Sequence, residues 1–160
     1  MMKQLDIIAD LLKEGRTVKI AVRGNSMRPY LVHDRDYVLL QHADDVQVGD
    51  IVLALLAPGH YVLHRVVSVS ANMLLTLRGD GNLTTEHCPA SAVCGVVTAF
   101  YRKHSQQPTQ VSALSYRMYR SFWMHSLPLR RVMLKLHHLM FRSCKDLKLK
   151  QNIDEKETRI

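Results

Sequence analysis

Three residues of the types that make a hydrolytic nucleophile, a base and an orienter stand in turn and strand contexts in the first part of the chain: Ser26, His64 and Asp80. Ser26 lies in Gly24-Asn25-Ser26-Met27-Arg28-Pro29-Tyr30-Leu31, between a glycine that permits unusual backbone angles and a proline that stiffens the exit. His64 is embedded in the apolar run Tyr61-Val62-Leu63-His64-Arg65-Val66-Val67, and Asp80 is presented by the turn Arg78-Gly79-Asp80-Gly81-Asn82. A hydroxyl, an imidazole and a carboxylate together can run nucleophilic acyl transfer. The base takes the hydroxyl proton while the carboxylate fixes the tautomer of the base. Each segment alone is ordinary. Gly-x-Ser occurs in plain turns, strand histidines are often structural, and Gly-Asp-Gly-Asn is common hairpin composition.

The elements that must position these residues follow from hydrophobic periodicity and turn signals. Leu5, Ile8 and Leu12, with Ile7 and Leu11 beside them, predict an amphipathic helix over residues 3–14, stopped by Gly15. β-prone runs follow at Thr17–Val22, Tyr37–Gln41, Ile51–Leu56, Tyr61–Ser68, Met73–Arg78 and Val93–Tyr101. They are separated by Gly24, Asp34–Asp36, Gly49–Asp50, Pro58–Gly59, Gly79–Gly81 and Pro89. Alternating βαβ order is absent, so the fold class is mostly β with an N-terminal helix, over residues 1–101. A polar linker, Arg102–Gln110, leads to two expected helices at 112–126 and 129–145, making 102–160 a basic helical C-terminal extension.

Charge divides the chain at the same place. Of 160 residues with a net charge of +8, residues 1–100 carry nine Lys/Arg against ten Asp/Glu, whereas 101–150 carry eleven against one. That excludes a uniformly basic nucleic-acid-binding domain and makes nucleic acid an unlikely partner. The longest apolar run, Ile51–Ala57, is far short of the ~18 residues that read as a transmembrane helix, and the N-terminus lacks the apolar core of a signal peptide. Cys88, Cys94 and Cys144 have no metal spacing, and unpaired thiols in a reducing compartment are expected. No pair among His33, His42, His60 and His87 has a zinc-ligand context, so no metal or organic cofactor is expected.

Taken in order, Gly24-Asn25-Ser26-Met27-x-Pro-x-Leu, Asp36-Tyr37-Val38, Gly49-Asp50-Ile51-Val52, Leu63-His64-Arg65-Val66 and Gly79-Asp80-Gly81-Asn82 resemble the signal peptidase I / LexA-like serine peptidase superfamily. The His-Arg pair at the base position is similar to the ER-type signal peptidases, where bacterial members have Lys-Arg. The resemblance implies a β-rich peptidase core with Ser26 as nucleophile, His64 as general base and the Ser26 backbone N–H in the oxyanion hole. It implies Asp80 as third member, with Glu86 in Thr84-Thr85-Glu86 as its rival. Gly24 stands where signal peptidases often carry a serine, as in LexA-like members.

The function expected is a serine endopeptidase using Ser26 and His64, acting on a leader or precursor peptide. The alternative is a binding or regulatory module that keeps the fold without turnover. The residues before Thr17 are too few for a helix-turn-helix, which argues against a repressor. The basic C-terminal segment, with Tyr116, Tyr119, Phe122 and Trp123, reads either as helices that pack against the β-domain with a solvated charged face or as a surface that meets a lipid headgroup boundary. A cytoplasmic location is expected, and the lipid reading adds a peripheral position on the inner face of the membrane.

Overall fold

The computed structural model describes residues 2–103, 105, 107–125 and 132. Helix α1 (Met2–Lys13) buries Ala9 and Leu12 and is stopped by Gly15, whose φ of 78° is open to glycine at little cost. The Gly15 N–H donates to Leu12 O and the Arg16 N–H to Leu11 O, a Schellman closure of the last turn. Strands β1 (Val18–Ala21), β2 (Tyr37–Gln41), β3 (Ile51–Ala57) and β4 (His60–Val69) follow. After them come β5 (Leu74–Arg78), β6 (Glu86–Pro89), β7 (Val93–Tyr101) and β8 (Thr109–Gln110), then helix α2 (Leu114–His125).

All eight strands join one sheet in the order β1-β2-β7-β3-β4-β5-β6, with β8 added on β7, and every pair is antiparallel. Because successive strand residues point to opposite faces, the sheet separates two apolar clusters. One gathers Leu12 of α1, Met27, Leu31, Ile51 and Phe100 with Tyr116 of α2. The other gathers Val52, Ala54, Val66, Leu75, Leu77 and Cys88. Cys88 and Cys94 are buried free thiols.

The β-rich fold class expected from the sequence holds. Two strands escaped the sequence pattern. β6 is only four residues ending in a proline, and β8 is two residues inside the expected linker, too short for either to show a period. The chain divides into two compact units, Met1–Met124 and His125–Ile160. β8 continues the ladder from β7, and Tyr116 and Trp123 of α2 are each 2% exposed. Apart from Val132, the helix expected at 129–145 lies outside the described residues. Among the described residues, no helix is long and apolar enough to cross a membrane.

Candidate active site

Ser26 sits on the long connection between β1 and β2, half-buried. Its backbone is tied down on several sides. Gly24 adopts φ 80°, where only glycine is unstrained, and its N–H donates to His33 Nδ1 at 2.9 Å. The Leu31 N–H donates to Met27 O, and the Arg28–Pro29 peptide is cis. The connection closes on Asp36, whose buried carboxylate accepts the Val32 N–H at 3.0 Å, Arg35 Nε at 2.9 Å and Arg102 Nη1 at 2.8 Å. Arg102 also donates to Tyr30 O, so the residue that follows β7 clamps the loop that carries the serine.

The Gly79–Asn82 turn packs directly against this loop. The Gly81 N–H donates to Ser26 O at 2.6 Å. A methyl at Gly79 would overlap that same carbonyl oxygen and approach Ser26 Cβ to 3.0 Å, and one at Gly81 would reach Asn25 O at 2.9 Å. Both glycines are therefore required by close approach of two backbones. β4 pairs with β5 through Arg65 and Arg78, so Gly79, the next residue along, lies on the His64 side of that pair. One short turn thus touches the serine and adjoins the strand that carries the histidine.

His64 is 4% exposed, and its Nδ1 lies 2.7 Å from Glu86 Oε2. Sheet register explains the partnership. Val66 is opposite Leu77 and Leu77 is opposite Glu86, so these three share a face, and His64, two residues before Val66, shares it too. A carboxylate can only accept, which makes Nδ1 the donor and, in a neutral ring, puts the lone pair on Nε2.

Asp80 is turned the other way, which corrects the expectation that it holds His64. Its carboxylate receives Arg65 Nε at 2.8 Å and Nη2 at 2.6 Å, a two-toothed pair in which each residue is 1% exposed. Arg65 follows His64 on β4 and so points through the opposite face of the sheet. Arg65 Nη1 also donates to Gly49 O at 2.9 Å and to the Tyr116 hydroxyl at 2.8 Å. Burial by itself would lower the Arg65 pKa, but the Asp80 hydrogen bonds and charge outweigh it and raise it. The Tyr119 hydroxyl donates to Asp80 Oδ2 and Trp123 Nε1 to Asp80 O, both at 3.3 Å. Burial first, and then the neighbouring Asp80 charge, push the Tyr119 hydroxyl pKa well up.

The sequence left open whether Tyr116 and Trp123 pack on the β-domain or meet a lipid surface, and it did not reveal the ion pair they cover. Their spacing marks an apolar helix face and is silent about what covers it. Asp50 of the Gly-Asp box accepts the Gln47 N–H at 3.0 Å and so serves its turn.

An antiparallel sheet with a serine on a glycine-to-proline loop and, on β4, a histidine held by a carboxylate is consistent with a serine-peptidase-like fold. A family model described as Peptidase S24-like matches residues 2–95. The chain belongs to that family, within the LexA/signal-peptidase-like superfamily. The match ends inside β7, so β8 and α2 lie beyond it. Comparison with curated proteins gave no match.

Proposed function

We propose that the protein is a serine endopeptidase that cleaves a leader or precursor peptide through an acyl-enzyme on Ser26, with His64 as general base and Glu86 orienting it. The supporting observation is the His64 Nδ1–Glu86 contact of 2.7 Å in a fold whose Gly79–Gly81 turn presses on Ser26. In this reading Ser26 Oγ attacks the scissile carbonyl carbon as its proton passes to His64 Nε2. The oxyanion is met by backbone N–H donors including that of Ser26, each typically stabilising by about 3 kcal/mol. The C–N bond breaks as His64 returns the proton to the departing amine. Water then adds to the ester, giving its proton to His64, and the peptide acid leaves as Ser26 regains its hydrogen.

Cleavage of an internally quenched random-sequence peptide library by wild type, Ser26→Ala and His64→Ala tests the assignment. Both variants are expected to lose about 10⁴-fold or more in kcat. A folded wild type without activity, or variants with full activity, would refute it.

We further propose that the enzyme works against an anionic membrane surface at its cytoplasmic face. Leu114, Met118 and Phe122 are exposed and recur every fourth residue, forming an outward apolar stripe on α2. Residues 101–150 carry eleven Lys/Arg against one Asp/Glu, the charge that suits acidic headgroups.

A further inference from the structure

Asp80 and Arg65 are each adjacent in sequence to a residue that touches the proposed chemistry. Asp80 stands between Gly79, packed on Ser26, and Gly81, whose N–H holds Ser26 O. Arg65 directly follows His64 on β4. Both charged groups are then held by one helix from outside the family-matched segment. Tyr119 and Trp123 take Asp80 by its carboxylate and its carbonyl, and Tyr116 takes Arg65. The same helix reaches the nucleophile loop, since Tyr30 stacks on Tyr119 with ring centroids 4.3 Å apart.

We infer that α2 is a positioning element for the Ser26–His64 pair, with Tyr116, Tyr119 and Trp123 setting the pair's geometry through Arg65 and Asp80. The inference rests on the serine peptidase reading for its catalytic consequence and on hydrogen bonding alone for its structural one. An ion pair this deeply buried offsets its desolvation only when its remaining donors and acceptors are satisfied. Of the partners that complete it, two hydroxyls and an indole N–H come from α2. Loss of those partners loosens the turn at Ser26 and the backbone beside His64 together. A catalytic pair must stay within roughly 0.5 Å of its productive geometry, and a misplacement of about 1 Å can cost 10²-fold in rate.

The test uses the full-length chain with Tyr116→Phe, Tyr119→Phe and the double variant, each change removing one hydroxyl and little volume. Kinetics on an internally quenched peptide that wild type cleaves are measured well below every thermal midpoint, so that all variants are folded. Hydrogen exchange is followed in the peptides covering residues 24–31 and 79–82. The double variant is expected to lose roughly tenfold in kcat with KM within twofold, about what one hydrogen bond to a charged group is worth. The Gly81 amide is expected to exchange several-fold faster. Unchanged exchange overturns the inference, as does unchanged kcat in a folded double variant. Should the double variant fail to fold, Tyr119→Phe alone decides by the same two readouts. Failure of the peptidase reading is seen separately, as activity that Ser26→Ala does not remove, and exchange then decides the positioning role by itself.

Discussion

Glu86 and Asp80 flank the same bend of the chain, yet their carboxylates do different work because they face different sides of the sheet. Glu86 meets His64 from a partly exposed position, whereas Asp80 is sealed against Arg65. Replacement therefore separates them. Glu86→Gln is expected to lower kcat by about 10² to 10⁴-fold by releasing the imidazole tautomer, with a thermal midpoint close to wild type. Asp80→Asn leaves Arg65 buried beside a neutral amide and is expected to cost about 3–5 kcal/mol of stability, visible by calorimetry. A stable Asp80→Asn with an unfolded Glu86→Gln would reverse these assignments.

At the scale of the element, the loop between β1 and β2 keeps Ser26 in place through Asp36, so its rigidity depends on pH. Burial alone would raise the Asp36 pKa. Hydrogen bonds from Arg35 and the Val32 N–H, with the Arg102 charge, more than reverse that and leave it below its ordinary value. A depressed native pKa contributes stability that is fully present above the unfolded value, ~3.9, and lost as pH falls through the native one. Urea melts are expected to show a steeper loss between pH 5 and pH 2, both rough bounds, in wild type than in Asp36→Asn. At pH 7 the variant is expected to be about 1–3 kcal/mol less stable. Equal acid sensitivity of the two proteins would remove Asp36 from this role.

Across the whole molecule, chemistry and charge are separated along the chain. The near-neutral first hundred residues hold the serine, histidine and carboxylates, and the basic surplus follows. α2 lies within that basic stretch and has two apolar faces, Tyr116 and Trp123 turned into protein and Leu114, Met118 and Phe122 turned outward. Flotation with phosphatidylglycerol vesicles is expected to carry wild type and to weaken with salt, as screened surface charge requires. Replacing Leu114, Met118 and Phe122 by serine is expected to reduce binding by roughly tenfold or more. Undiminished flotation of that variant would place the contact elsewhere.

Local rules were enough for much of the fold. The bounds of β2 and β7 coincide with the β-prone runs at Tyr37–Gln41 and Val93–Tyr101, and Gly15 and Gly24 have the positive φ their turn positions called for. The ordered motifs around Ser26 and His64 pointed to the family that residues 2–95 match. Period and turn chemistry act within a few residues, so one sequence suffices to read them. The partner of His64 was not so readable. Both Asp80 and Glu86 follow β5, and only the pairing of a four-residue β6 brings Glu86 to the histidine's face. The same holds for α2. An aromatic stripe at helical spacing satisfies a membrane and a protein core equally well. Burial of the Arg65–Asp80 pair, a contact between segments far apart in the chain, decided that Tyr116 and Trp123 face inward.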